Sequence, residues 1–565
     1  MRIQRFFTAF LLAMIGTAAI AQPESTGAQG PDDEFSVMEG TSVLSYNSSR
    51  EFDIHSRAGY GPVFYIFPDG RLDAASAKKM AQRLGMLDIL RQFGGRIMLV
   101  NPTSDKWQER DLTAFRQLLG RGSSPTNIKI VGLGSGATFV NNYIAPSDLS
   151  GVVAGIVSIN GDPGKVCKYP VPAYIGGRKA ANTAKPYQAA AAAAQADPLL
   201  KVVVNTDTSE PEAGLFADAW NRVLSANYRY NNLYHTFYSS RGIDNPEGVK
   251  NFELVSIPDF KRTGMKRIAV EYPLVDANAP GRQEDPDKYL WYEYIPMQAQ
   301  NAPAGSVPLV VLLHGNRNDP RTQSETSGFV ELAADKGFMA VEMEWQGGNG
   351  YAAMGLDGIE AVISVLLKKY PQIDASRIYA EGLSAGAMTS NMLGVRKSHL
   401  FAAVAGHSGG LFSGNGIGYY AYGSEPLMNE AIQKRGHVEV GYCAVVGSRD
   451  DTVPFYNRDN WRGNSYLNVW RIYETVNEMD VTGDLDFSVD PVFGFALRDR
   501  TVIHTGKSND ITIEFGQLYK DSRPMIRLMV INNYGHWNFK PAAAYIWEFF
   551  THFSRDPETK ELKYE

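Results

Sequence analysis

The chain of 565 residues has only two cysteines, Cys167 and Cys443. This scarcity excludes a small domain held together by disulfides, and we expect two free thiols, although one bridge between them is conceivable in an oxidising compartment. No H-E-x-x-H motif and no cluster of cysteine and histidine at metal-ligand spacing occurs. The sequence therefore calls for no catalytic metal and no other cofactor.

A dense cluster of Lys and Arg is also missing. The formal net charge is −6, and removing Arg2 and Arg5 with an N-terminal leader changes it to −8. A chain of this charge is a poor partner for nucleic acid, so we predict none. Beyond the N-terminus no apolar run is long enough to cross a bilayer, so we predict no stable membrane insertion.

The N-terminus has the composition of an export signal. Arg2 and Arg5 precede an apolar stretch at residues 6–15, and Ala-Ile-Ala follows at residues 19–21. This order predicts a signal peptide over residues 1–21, so we expect a periplasmic or secreted protein. Residues 22–40 are predicted to form a disordered leader.

A G-x-S-x-G motif occupies residues 382–386, between the extended apolar run 377–381 and an Ala/Met-rich helical segment. The flanking glycines let a strand turn sharply into a helix, which exposes the hydroxyl of Ser384 at the tip. The motif alone is weak, but its strand–turn–helix context is that of a serine nucleophile. Ser384 is therefore the predicted nucleophile.

An apolar run upstream, Val307–Leu313, predicts a buried strand that ends at a His-Gly-Asn sequence, residues 314–316. A hydrolase needs two backbone N–H groups aimed at the oxyanion of the tetrahedral intermediate. We expect one from Ala385 and the other from this loop, at Gly315 or Asn316, and we assign it to Asn316.

Two further strands, at residues 442–446 and 525–531, lead into Asp450 and His536. The chain order Ser384, Asp450, His536 is the order of an α/β-hydrolase triad. His536 would take the serine proton and return it to the leaving group, and Asp450 would orient the imidazole. The neighbouring Asp451 is the alternative carboxylate.

These motifs together resemble the polyhydroxybutyrate-depolymerase-like esterases, a family that includes feruloyl and acetylxylan esterases. The resemblance covers roughly residues 265–560 and is carried by L-H-G at 313–315, G-x-S-x-G at 382–386, G-x-x-D-x-x-V-P at 447–454 and G-H-W at 535–537. It implies a serine carboxylic-ester hydrolase that works through an acyl-enzyme.

The implied substrates are hydroxyalkanoate polyesters or oligomers, and feruloyl or acetyl esters. One departure is Asn316, where many relatives carry cysteine, but the oxyanion donor there is backbone. Trp345 and Trp537 stand near strand ends and are candidates to line the substrate pocket.

The N-terminal half repeats this layout. A strand at residues 63–67 precedes Asp69, and another at 128–131 runs into G-L-G-S-G at residues 132–136, where Gly134 stands in place of the nucleophile. We predict an α/β protein with two tandem α/β-hydrolase-like domains, each a mostly parallel sheet flanked by helices. Residues 41–250 would form a degenerate, non-catalytic domain and residues 251–565 the catalytic one.

Several alternatives remain open at this point. Gly132-x-Gly134-x-x-Ala137 superficially fits a dinucleotide-binding loop, but it comes two strands into its domain. The first domain could act as a scaffold, which we favour, or as a lid, a binding module for a polymeric or glycan substrate, or a dimerisation unit. For the whole chain the alternatives are a serine peptidase or amidase, and a binding protein with both sites inactive. The sequence does not indicate an oligomeric state.

Overall fold

The computed structural model describes residues 34–39, 41–47, 60–121, 127–193, 199–231, 252–273, 288–316, 318–347, 351–410, 438–450, 466–505 and 511–565. The chain divides into two compact units, Met1–Ile257 and Pro258–Glu565. The predicted signal peptide, residues 1–21, lies outside the described residues.

The first unit alternates strands with helices. Its described strands are β1 (Glu34–Val37), β2 (Val43–Asn47), β3 (Val63–Phe67), β4 (Arg96–Val100), β5 (Ile128–Leu133), β6 (Gly155–Ile159), β7 (Ala173–Gly176), β8 (Val202–Asn205), β9 (Asn227–Asn231) and β10 (Phe252–Ser256). Its α-helices are α1 (Ala74–Arg83), α2 (Met86–Phe93), α3 (Arg110–Arg121), α4 (Ser135–Phe139), α5 (Ala180–Thr183), α6 (Lys185–Ala193) and α7 (Glu212–Arg222). A π-helix, Val140–Ile144, extends α4.

The main sheet of this unit has the order β1-β2-β4-β3-β5-β6-β7-β8 among the described strands. All pairs from β4 to β8 are parallel, and β2 runs antiparallel to both β1 and β4. The core lies on both faces of the sheet: in β5, Ile128 and Ile130 join one apolar cluster while Val131 and Leu133 join the other. Burial on both faces explains why the strands read as continuous apolar runs.

Two predicted boundaries need correction. Residues 34–37, within the predicted disordered leader 22–40, form β1, because the strand pairs with β2 and Phe35 is buried against Tyr46 at a ring distance of 5.1 Å. The predicted domain boundary between residues 250 and 251 is also too early. Strand β10 pairs with β9, so it belongs to the first unit.

The second unit is built in the same way. Its described strands are β11 (Lys266–Pro273), β12 (Lys288–Ile295), β13 (Val307–Leu313), β14 (Met339–Met343), β15 (Ile373–Leu383), β16 (Ala403–His407), β17 (Gly441–Gly447), β18 (Arg498–His504), β19 (Thr512–Lys520), β20 (Arg523–Asn532), β21 (Phe553–Arg555) and β22 (Leu562–Tyr564). Its helices are α8 (Phe260–Thr263), α9 (Met297–Gln300), α10 (Pro320–Ser327), α11 (Phe329–Lys336), α12 (Gly355–Lys369), α13 (Ala385–Arg396), α14 (Tyr466–Val476) and α15 (Ala542–Thr551).

The described sheet has the order β11-β12-β14-β13-β15-β16-β17-β20-β19-β18. Its centre, from β14 to β20, is parallel, and β12 is antiparallel to its neighbours. When the strands of each sheet are numbered from 1 along the chain, the first seven positions of both sheets have the order 1-2-4-3-5-6-7. The prediction of two tandem α/β-hydrolase-like domains, each a mostly parallel sheet flanked by helices, is confirmed.

Candidate active site

Ser384 occupies a strained turn between β15 and α13. Its φ is 55° and its ψ is −116°, a conformation that costs free energy for a residue with a side chain and that clusters at functional sites. The flanking glycines make this turn possible. A Cβ at Gly386 would lie 1.9 Å from the carbonyl oxygen of Leu313, and one at Gly382 would lie 2.4 Å from the carbonyl carbon of Gly386.

Backbone contacts fix this elbow against its neighbours. The Ser384 N–H donates to the carbonyl of His407 at 2.8 Å, and the Ser384 carbonyl accepts from Met388 at 3.0 Å. Ala385 is the first residue of α13, where backbone N–H groups have no partner within the helix. The loop after β13 borders the nucleophile: a Cβ at Gly315 would lie 3.6 Å from the Cβ of Ser384.

His536 and Asp450 form a buried pair. The Nδ1 of His536 lies 2.8 Å from Oδ2 of Asp450, and the two residues are 2% and 6% exposed. Their loops are tied together, because Arg449 N–H donates to the carbonyl of Tyr534 at 2.8 Å. Since β15, β16, β17 and β20 are parallel neighbours, their carboxyl ends share one edge of the sheet, where Ser384 also lies. Asp451 lies outside the described residues.

A second histidine lies beside this pair. His407 ends β16, opposite Leu383 of β15, and is 2% exposed. Burial lowers the pKa of His407 to about 3, against the opposing effect of the Asp450 charge. His407 is therefore neutral at physiological pH. The position of His407 in the chain does not predict that it lies near the triad. The parallel register of β15 and β16 brings it there.

Side chains of the segment after β14 hold the loop that would supply the second oxyanion donor. His314 is completely buried, and its Nε2 lies 3.2 Å from Oε1 of Glu344. Trp345 donates its indole N–H to the carbonyl of His314 at 2.9 Å, so this half-buried ring lies against the loop. Asn316 is exposed, and Trp537 is 8% exposed next to His536.

Two carboxyl groups under the site were missed in the sequence. Glu342 and Glu381 are buried in β14 and β15, the two strands that flank β13, and both pair with Leu312. Burial raises the pKa of Glu381 to about 8 and that of Glu342 well above its usual range. Glu381 contacts Gln323, which exchanges two hydrogen bonds with Asn538, at 3.0 and 2.6 Å. A charged residue inside an otherwise apolar strand was the available signal.

The first unit has the same elbow without a nucleophile. Gly134 has φ 54° and ψ −118°, and its N–H donates to the carbonyl of Ile159 at 2.9 Å, as that of Ser384 does to His407. Strand register also matches, because Phe67 pairs with Gly132 as Leu313 pairs with Gly382.

The place of the nucleophile is taken by a carboxylate. A Cβ at Gly134 would lie 2.4 Å from Cγ of Asp69, and Asp69 Oδ1 accepts the Ser135 N–H at 2.9 Å. By register Asp69 corresponds to Gly315, and Ser135 corresponds to Ala385. In the first unit the Asp69 carboxylate thus fills the space that a side chain at position 134 would need, and it accepts the N–H that would bind an oxyanion.

Comparison with known proteins finds a sequence similarity to one family within the second unit. Residues 292–418 match the family described as esterase PHB depolymerase. This match includes Ser384 and the loop at residues 314–316, and it confirms the resemblance predicted from the motifs. It also confirms the predicted enzyme class, a serine carboxylic-ester hydrolase.

Solved structures of esterases are distantly similar to half of the chain. The acetyl xylan esterase from Aspergillus awamori is 18% identical over 50% of this chain and 99% of its own, with a TM-score of 0.34. A mutant feruloyl esterase module from Clostridium thermocellum, complexed with sinapinate, is 16% identical over 51% of this chain and 87% of its own, with a TM-score of 0.31. No curated protein matches the chain.

No helix within the described ranges has both the length and the apolar character needed to cross a bilayer.

Proposed function

We propose that this protein is an exported serine esterase whose reaction takes place in the second unit. Ser384 Oγ attacks the ester carbonyl while His536 takes its proton, and backbone N–H groups of Ala385 and Asn316 hold the oxyanion. His536 then protonates the departing alcohol. A water activated by His536 hydrolyses the acyl-enzyme and frees the acid.

One observation carries this proposal: the buried His536–Asp450 pair, at 2.8 Å, shares a sheet edge with a serine in a strained elbow. A carboxylate at Nδ1 leaves the imidazole Nε2 as the proton acceptor and stabilises the imidazolium that forms. The hydrogen bond also supports Asp450 as the orienting carboxylate.

The proposed substrates are those that the family resemblance implies: hydroxyalkanoate polyesters or oligomers, and feruloyl or acetyl esters. Trp345 and Trp537 remain candidates for the substrate-facing wall. Export is proposed from the N-terminal pattern of Arg2, Arg5 and the apolar stretch that follows.

The test compares Ser384, at the elbow of the second unit, with Ser135, which directly follows the elbow glycine of the first unit. Wild-type protein should hydrolyse p-nitrophenyl acetate and butyrate and react with a fluorophosphonate probe, and Ser384→Ala should lose both reactions. Ser135→Ala is the matched control and should retain both. An unreactive wild type, or labelling that survives Ser384→Ala, would refute the assignment. A screen of methyl ferulate, acetylated xylan and hydroxybutyrate oligomers then assigns the ester.

A further inference from the structure

The first unit contains a cleft at the place where a hydrolase would have its active site. The cleft has a volume of about 970 Å³ and lies over Gly134 and Ser135, beyond the carboxyl ends of β3, β5 and β6. Open α/β sheets bind their ligands at this edge, and the volume is at the upper end for small-molecule sites. The position and size are those of a binding site.

The floor of the cleft excludes acyl-transfer chemistry at the elbow. Gly134 has no side chain, and the Asp69 carboxylate accepts the Ser135 N–H at 2.9 Å. A carboxylate fixed there also repels a phosphate or another anion from the same N–H group. A ligand in this cleft is therefore held and not converted by a nucleophile at this position.

One wall of the cleft is aromatic. Trp107 stacks on Phe139 with ring centroids 4.8 Å apart, and Tyr143 lies 5.4 Å from Phe139. The Trp107 indole N–H donates to the carbonyl of Pro68 at 3.1 Å, which fixes the ring. Phe139 is buried, whereas Trp107 and Tyr143 are only half-buried and line the cleft. The wall thus offers rigid aromatic surface without a deep apolar pocket.

The rest of the lining carries charges of both signs in equal number: three carboxylates and three cations, namely Asp69, Asp105, Asp162, Lys106, Arg178 and Lys179. Lys179 and Asp162 pair with each other. Within the described residues the Lys106 ammonium and the Arg178 guanidinium have no ion-pair partner, and both side chains are exposed. The cleft therefore presents many donors and acceptors but no excess of either charge.

We propose that this cleft binds a neutral saccharide chain. A sugar hydroxyl both donates and accepts hydrogen bonds, so it can use carboxylates and cations at the same time. The C–H faces of a pyranose ring are apolar and slightly positive, which suits the negative face of Trp107 or Tyr143. A charged ligand would be attracted by the three groups of opposite charge and repelled by the three of like charge. A purely apolar ligand would remove water from all six charged groups without offering them hydrogen bonds. This proposal does not depend on the esterase activity of the second unit.

Titration calorimetry on the full-length protein tests the proposal, with xylohexaose, cellohexaose and mannohexaose as neutral probes. Oligogalacturonate is the anionic probe and a hydroxybutyrate oligomer the polyester probe. We expect saturable binding of at least one neutral hexaose. Trp107→Ala should weaken it by about tenfold or more, as expected for the loss of one well-packed aromatic contact. Hydrolysis of p-nitrophenyl acetate should be unchanged in this variant.

Because Trp107 also packs on Phe139, Arg178→Ala provides a second variant on an exposed side chain, and it should weaken the same binding. Failure of every neutral hexaose to bind would overturn the proposal. So would neutral-hexaose binding that both variants leave intact, or a preference for the anionic or polyester probe. Loss of p-nitrophenyl acetate hydrolysis in Ser384→Ala tests the esterase proposal separately, so the two can fail independently.

Discussion

Gly315 offers a sharp test of how the second unit holds its substrate. A methyl group added in Gly315→Ala would lie 3.5 Å from both Asn318 Nδ2 and the Leu383 carbonyl oxygen, and 3.6 Å from the Ser384 Cβ. These are ordinary van der Waals distances, and Gly315 does not have the positive φ that would disfavour alanine. The folded state should therefore accept the methyl group, and the free energy of unfolding should stay within about 0.5 kcal/mol or rise by up to about 1 kcal/mol.

Activity should respond very differently. The ester carbonyl has to approach the Ser384 hydroxyl to about 3–3.5 Å, with its oxygen turned toward the N–H groups of Ala385 and Asn316. A methyl group beside the nucleophile takes part of that space. Displacement of a substrate by about 1 Å costs roughly 100-fold in rate, so we expect kcat for p-nitrophenyl butyrate to fall by about that factor.

The assay measures kcat, KM and Tm of Gly315→Ala together with Gly483→Ala. Gly483 also lacks a positive φ, and a Cβ there meets nothing within 4 Å, so this control reports the effect of the substitution alone. A kcat close to that of the wild type would refute the proposed approach of the substrate. A large fall in Tm would refute the packing argument.

Three further predictions concern the carboxyl groups. Asp450→Asn should lower kcat by about 10³- to 10⁴-fold at an unchanged Tm, and a loss below tenfold would contradict its role. Since burial raises the pKa of Glu381 from 4.5 to about 8, its contribution to stability is complete below pH 4.5 and is lost as the pH rises to about 8. The Tm of the wild type should therefore fall between pH 5 and pH 8, and in Glu381→Gln this fall should be smaller by about 5 °C or more. An equal fall in Tm in both proteins would contradict the argument. Gly134→Ser should lower the free energy of unfolding by about 1–3 kcal/mol, because φ is 54° there and the new Cβ must displace the Asp69 carboxylate. Adding Asp69→Gly should recover the part of this loss that comes from the contact. Fluorophosphonate labelling of Gly134→Ser in a Ser384→Ala background would contradict the view that Asp69 blocks this elbow.

Much of the fold follows from the sequence because the parallel strands are buried on both faces. The predicted strand Val307–Leu313 has the same bounds in the structure, and the strand predicted at residues 442–446 is observed as Gly441–Gly447. Strand β1 was missed, because four residues, Glu34–Val37, carry little signal and become a strand only through pairing with β2. The strand–turn–helix context nominated Ser384, and the strand ends together with the chain order nominated Asp450 and His536 as the proposed partners.

The contacts of the supporting groups could not be predicted, because they join segments that are distant in the chain. Asp69 followed by glycine reads as an ordinary turn, and its contact with Ser135 exists only because two loops meet at a sheet edge. Glu381 reads as a charged residue in an otherwise apolar strand, but its hydrogen bond with Gln323 appears only in the folded structure. Buried strands can be predicted from a sequence, whereas the hydrogen-bond partner of a single carboxyl group cannot.

The position of the Asp69 carboxylate sets what a nucleophile in the first unit would require. Serine at position 134 alone would collide with Asp69, and replacing Asp69 alone would supply no hydroxyl. A serine hydroxyl at this elbow, beside an unoccupied Ser135 N–H group, therefore requires the Asp69 carboxylate to move or to be replaced.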